Sequence, residues 1–246
     1  MSEKTLRICH LYPDLLNLYG DRGNILCMSR RLEWRGIDAE VTEVTVGQQA
    51  DFTRFDLFFI GGGQDFEQEV LLSDLKAGKG SEIKAAIADG KTFLTICGGY
   101  QMLGSYYRTW DGKQCDFIGA IDYYTVGSKE RMIGNFLFEC LPKSGGSTVV
   151  GFENHSGRTY LGKGVEPLGK MIKGCGNNGE DGTEGVRYKN TFGTYSHGPV
   201  LPKNPQLADL LISLAVKNKY GSCTLEPLDD DLEDKARAQV MKLYIK

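Results

Sequence analysis

The chain has 246 residues, 41% of them apolar and 25% charged, and its 29 basic and 32 acidic residues leave a formal charge of -3. These proportions describe a globular chain and exclude a disordered, collagen-like or membrane-embedded one. Without a Lys/Arg run there is no electrostatic footprint for a nucleic acid backbone. Seven cysteines, at 9, 27, 97, 115, 140, 175 and 223, form no C-x-x-C pair, so a zinc ribbon and a disulfide framework are excluded and reduced thiols are expected. The N-terminus has no apolar stretch of the secretory kind, and no apolar run approaches the ~20 residues of a spanning helix. We expect a cytoplasmic chain that is not an integral membrane protein, folded as one domain over residues 1–246.

In chain order, Thr5–Tyr12 reads as a strand, Asn24–Trp34 as a helix stopped at Gly36, and Ala39–Thr45 and Leu57–Ile60 as strands, the second running into Gly61-Gly62-Gly63. Glu67–Lys76 and Ser81–Ala88 read as helices, Lys91–Ile96 as a buried strand and Tyr100–Tyr107 as a helix. Strands alternating with helices specify an α/β fold, a predominantly parallel sheet with helices on both faces. The second half is β-rich at Ala120–Val126, Arg131–Cys140, Ser147–Glu153, Glu166–Ile172, Gly185–Tyr188 and Thr191–Ser196. These pieces extend the sheet or form an antiparallel layer beside it. The glycine-rich stretch at 174–182 reads as a mobile loop, and helices return at Pro205–Lys219 and Leu232–Tyr244.

The chemistry concentrates in Thr95-Ile96-Cys97-Gly98-Gly99-Tyr100-Gln101. A β-branched strand ends on a cysteine, glycines follow and a helix begins, which is the layout of a nucleophile elbow. A helix N-terminus and a nearby imidazole both favour thiolate over thiol. Of the three histidines, His197 closes a strand before the turn Gly198-Pro199 and would project from the same sheet edge as Cys97. His10 lies inside the first strand, a packing position, and His155 in a polar loop that could contact substrate or a partner. A tetrahedral oxyanion needs N–H donors, offered by Gly98 and by Gly62 or Gly63. No P-loop occurs.

At these residues the chain resembles the class I, triad-type glutamine amidotransferases, whose elbow reads G-x-C-x-G-x-Q. Cys97, Gly99 and Gln101 match it, and Thr95 stands where glycine is usual. Where most members read H-x-E, with the Glu orienting the imidazole, this chain has His197-Gly198-Pro199, a loss typical of the cobyric-acid-synthase-like branch. Within it, Asn17-Leu18-Tyr19-Gly20-Asp21-Arg22-Gly23-Asn24 and Gly151-Phe152-Glu153-Asn154-His155-Ser156-Gly157-Arg158-Thr159 resemble free-standing glutaminase subunits of peptidoglycan synthesis. The resemblance implies that L-glutamine is hydrolysed at Cys97, with Arg131 and Gln101 binding substrate and Gly63 and Gly98 forming the oxyanion hole. It implies no metal or cofactor in this chain. Ammonia would pass, in a heterodimer, to a Mur-ligase-like subunit (MurT), which would hold ATP and Mg and amidate the D-isoglutamate α-carboxyl of lipid II.

The missing acid has to come from Glu153, from Asp209 or, as we favour, from the partner. The tail, residues 228–246, carries Leu232, Ala236, Val240 and Leu243 on one stripe, to pack on its own domain or on the partner. Alternative readings are a cobyric-acid-type amidotransferase subunit, another cysteine hydrolase on the same fold, and a non-catalytic binding module.

Overall fold

The computed structural model describes residues 4–63 and 68–244. The α/β expectation holds. The first sheet contains β1 (Thr5–Leu11), β2 (Asp38–Val44), β3 (Leu57–Ile60) and β4 (Thr92–Ile96), all parallel. After β1 comes α1 (Arg22–Glu33), and between β3 and β4 lie α2 (Gln68–Asp74), one wide turn at Leu75–Lys79, and α3 (Gly80–Ala88). Residue 67, the expected start of α2, is outside the described residues.

The strand order explains the helix placement. The sheet runs β2, β1, β3, β4, so β1 to β2 and β3 to β4 step in opposite directions. Right-handed crossovers then place α1 on one face and α2 and α3 on the other. Every residue of β3 and β4 is buried, as a sheet covered on both faces requires. The reversal between β1 and β3 opens a crevice at their carboxyl ends, where such sheets collect ligands.

After β4 the chain departs from expectation. The helix at Tyr100–Tyr107 is a single turn, α4 (Gly98–Gln101), and the chain then enters a second sheet through β5 (Tyr106–Arg108) and β6 (Gln114–Asp116). Tyr106 and Tyr107 are β formers, and pairing of Tyr107 with Thr125 overrides the helical spacing. The next two expected strands are one long strand, β7 (Tyr123–Cys140), paired with β8 (Thr148–Leu161). β9 (Gly169–Lys173) and β10 (Thr183–Glu184) complete this largely antiparallel layer. The chain then rejoins the first sheet through β11 (Val186–Tyr188) and β12 (Thr191–Thr194), with β12 parallel to β4. The second half therefore does both of the things its sequence allowed.

The stretch at 174–182 is tied down rather than loose. Asn177 and Asn178 are fully buried. Asn177 Nδ2 donates to the Gly185 carbonyl and Asn178 Nδ2 to the Thr159 carbonyl. Composition misleads here because the glycines only permit the turns, while the asparagine amides fix them.

α5 (Pro205–Tyr220) packs on α1, and α6 (Asp231–Tyr244) reaches β8. Arg31, on α1 and 2% exposed, bonds Asp209 of α5 and Asp230 at the head of α6. Ion pairs therefore anchor α6. The expected apolar stripe does not bury as a whole, for Leu232 is 78% exposed and Leu243 55%. Among the described residues no helix is long and apolar enough to cross a membrane.

Candidate active site

Cys97 sits between β4 and α4 with φ +48° and ψ -106°. A non-glycine residue reaches that region only under strain, which clusters at functional turns. The turn holds because its neighbours leave no slack. A Cβ on Gly99 would stand 2.7 Å from the Gly61 carbonyl oxygen and 2.8 Å from that of Ile60. The elbow is therefore seated directly on the end of β3. With α4 only one turn long, little macrodipole is available to the thiol, so the electrostatic argument falls on the imidazole instead.

His197 follows β12, and its N–H donates to the Phe152 carbonyl of β8 (2.9 Å), which ties it to both sheets. Cys97 and His197 converge on Gly62. A Cβ there would lie 2.6 Å from His197 Cε1, 3.3 Å from Cys97 Cβ and 3.2 Å from an oxygen of Asp21. The glycine of β3's extension is thus the space the reactive groups occupy.

Asp21, which sequence reasoning did not consider, is a carboxylate that the fold sets beside His197. It stands at the N-cap of α1 yet makes no capping hydrogen bond with its side chain. Instead the carboxylate turns inward, accepts the Gly62 N–H (2.7 Å), and lies 3.6 Å from His197 Nδ1. It is fully buried. The signal available was its place in the motif Asn17–Asn24, directly ahead of a helix, where Asp reads as a cap. Neither in-chain candidate is at His197. Glu153 accepts the N–H groups of Cys175 and Gly176 and lies 3.7 Å from His155 Nε2. Asp209 pairs with Arg31 and Arg35. Pro199, where the family pattern leads us to expect an acid, packs against Gly23 of α1.

At 3.6 Å the Asp21–His197 contact is electrostatic rather than a hydrogen bond, and neither ring nitrogen has a hydrogen-bond partner among the described residues. Burial by itself lowers the pKa of His197. The negative charges of Cys97 and Asp21 outweigh it and push the value up to about 10. The surroundings of the imidazole thus favour its protonated form.

These groups open onto a cavity of about 470 Å³ lined by Leu18, Tyr19, Gly63, Cys97, Gln101, Arg131, Asn154, His155, Ser156, Gly157 and His197. Five of the six expected site residues (Cys97, His197, Gly63, Arg131, Gln101) thus share one cleft. Gly98, the sixth, follows Cys97 and abuts Gly63, whose nitrogen would be 3.3 Å from a Cβ on Gly98. Gly62, the competing donor, has its N–H committed to Asp21. Gln101 is buried and donates to the Tyr195 hydroxyl (3.1 Å).

Arg131 lies in a register shift of the β7–β8 pair, where residues 128–131 stand opposite Ser156. Such bulges re-aim side chains. His155 is in strand β8 rather than a loop, 3% exposed, its ring stacked on Tyr195 at 3.6 Å and its Nδ1 bonded to the Gly157 carbonyl. Burial lowers its pKa against the opposing pull of Glu153. His10 is packed inside β1, against Phe59.

Comparison with known proteins identifies the family. The chain is 43% identical to the lipid II isoglutaminyl synthase (glutamine-hydrolyzing) subunit GatD of Staphylococcus aureus, over 94% of this chain and 93% of that protein. It is 42% identical to the subunit of the same name from Streptococcus pneumoniae, over 92% of this chain and 86% of that one. Among solved structures, a glutamine amidotransferase from Thermotoga maritima superposes with a TM-score of 0.56 at 14% identity, over 97% of this chain and 92% of that chain, a likeness of fold. Residues 7–205 match the model of the CobB/CobQ-like glutamine amidotransferase domain, and the chain belongs to that family.

Proposed function

We propose that this chain is the glutaminase subunit of a lipid II isoglutaminyl synthase, and that Cys97 and His197 carry the hydrolysis of L-glutamine. The observation that supports it most directly is the convergence of Cys97, His197 and Asp21 on Gly62 at the wall of a cavity that also holds Arg131. The Cys97 sulfur, as thiolate, attacks the side-chain amide carbon of glutamine, and the carbonyl electron pair moves onto oxygen. The N–H groups of Gly63 and Gly98 stabilise that oxyanion, each such donor contributing about 3 kcal/mol. The His197 imidazolium then protonates the amide nitrogen, the C–N bond breaks and ammonia leaves a γ-glutamyl thioester.

Neutral His197 next takes a proton from water, whose oxygen attacks the thioester. Glutamate departs, its new γ-carboxyl losing a proton to solvent, thiolate and imidazolium are restored, and the sum is glutamine plus water giving glutamate, ammonia and a proton. Arg131 receives the substrate α-carboxylate. The ammonia is delivered within a heterodimer to the Mur-ligase-like subunit (MurT), which spends ATP, with Mg, to amidate the D-isoglutamate α-carboxyl of lipid II. In this scheme this chain's own residues need neither metal nor cofactor.

The test is ammonia release from L-glutamine by the chain with its partner, together with alkylation by 6-diazo-5-oxonorleucine. We expect release to be lost in Cys97→Ala and one adduct to map to Cys97. An unreactive thiol would point to a binding module. Hydrolysis of peptides or esters with indifference to the glutamine analogue would point to another cysteine hydrolase.

A further inference from the structure

The rim of the cavity carries a hydrogen-bonded chain that joins Arg131 to two residues with no part in the reaction above. Arg131 Nε donates to Asn154 Oδ1 (2.9 Å), Arg131 Nη2 donates to the Asn154 backbone carbonyl (3.1 Å), and Asn154 Nδ2 donates to the Tyr19 hydroxyl. The Tyr19 ring in turn stands edge-on to His197 with centroids 4.9 Å apart, held on a backbone with φ +56°. Three residues from different parts of the chain are thus joined across one face of the cleft.

We infer that Asn154 is a positioning residue that fixes which edge of the Arg131 guanidinium meets the substrate, and so makes the site selective for an amide that carries an α-carboxylate. This deepens the glutaminase reading and rests on it. A guanidinium has five N–H groups in a planar fork. Asn154 takes one from Nε and one from Nη2, which leaves the Nη1–Nη2 edge for a carboxylate in the paired geometry that guanidinium prefers. The donation to Tyr19 fixes the amide's orientation, because a flipped amide would set its own donors against the guanidinium. The residue type matters as well. Aspartate would supply the same acceptor but neutralise Arg131, whereas the neutral amide holds the fork in place and leaves its positive charge for the ligand.

The experiment measures KM and kcat for L-glutamine in the full chain with its partner, for the parent and for Asn154→Ala, Asn154→Asp, Arg131→Ala and the Asn154→Ala/Arg131→Ala double variant. We expect Asn154→Ala to raise KM about tenfold with kcat within about twofold, the size of one charge-assisted contact. Asn154→Asp should raise KM too, although a purely structural acceptor would be rescued by it. The double variant should be no worse than Arg131→Ala alone, and kcat/KM for 4-aminobutanamide, which lacks the α-carboxylate, should be the same in parent and Asn154→Ala.

An unchanged KM in Asn154→Ala, or full rescue by Asn154→Asp, overturns the inference while ammonia release leaves the glutaminase reading standing. Binding of L-glutamine by Cys97→Ala, with and without Asn154→Ala, separates the reverse case. Weakened binding there supports the positioning role even if the parent releases no ammonia and the glutaminase reading falls.

Discussion

The carboxylate of Asp21 and the imidazole of His197 face each other at 3.6 Å, the first fully buried and the second 1% exposed. The acid precedes the nucleophile by 76 positions and the imidazole follows it by 100, counting from Cys97, and β3's glycines are what allow both to reach it.

A carboxylate facing that nitrogen favours the imidazolium and steadies the ring. Asp21→Asn keeps an oxygen for the Gly62 N–H, so the fold should survive, while kcat should fall by up to about 10⁴, the scale seen when a triad acid becomes an amide. Ammonia release with and without the partner measures it. Loss in both conditions assigns the role to Asp21. Loss only without the partner assigns it to an acid from the other subunit, and no loss in either removes Asp21 from the machinery.

The His197 pKa is raised to about 10 by the charges of Cys97 and Asp21. A raised imidazole pKa contributes stability in full below its ordinary value near 6.5, and that contribution fades as pH climbs through about 10. Ring resonances followed by NMR should show His197 still protonated at pH 8. In Cys97→Ser the largest opposing charge is gone, so the midpoint should move down. A midpoint that stays put would show that the sulfur carries no charge beside the ring.

Glu184 carries the opposite sign. It is fully buried, and although Thr194 Oγ1 and the Tyr195 N–H donate to one oxygen, the other has no partner among the described residues. Burial raises its pKa to about 7. The unfolded chain ionises this group near 4.5, so stability is progressively lost as pH rises from there to about 7. Glu184→Gln should therefore be more stable than the parent at pH 8, by up to about 3 kcal/mol, with the gap closing near pH 4. Urea titrations at the two pH values decide it, and an equal gap at both would refute the assignment.

At the elbow, Gly99→Ala would drive a methyl into two backbone carbonyls that cannot rotate away. We expect a loss of about 2–3 kcal/mol in urea unfolding, the upper range of overpacking. Gly36→Ala serves as control. Unlike Gly99 it has positive φ, and nothing lies within 4 Å of a Cβ there, so any cost there is backbone strain alone. A Gly99→Ala loss no larger than the control's would mean that the elbow can move off β3.

Much of this was readable in advance. The strand–cysteine–glycine order marked Cys97, and the approach of the elbow to Gly61-Gly62-Gly63 followed from the α/β alternation. Asp21 was hidden because capping is a local habit of Asp, and only the fold shows the side chain turned the other way. Asn154 was hidden for a related reason. Its backbone partners set β7 against β8, but its side chain acts across a bulge whose register no local pattern encodes. The helix expected at Tyr100–Tyr107 failed where long-range pairing with β7 overcame local spacing.

The sulfur of Cys97 rides on the first sheet, while Arg131 and Asn154 ride on β7 and β8 of the second. For the substrate proposed, the gap between the layers acts as a ruler. It must match the reach from an amide carbon to an α-carboxylate, and asparagine, one methylene shorter, would leave one end ungrasped. Length discrimination would then be a property of how the two layers dock, and substitutions in the apolar contacts between them, far from any reacting atom, would be expected to blur it.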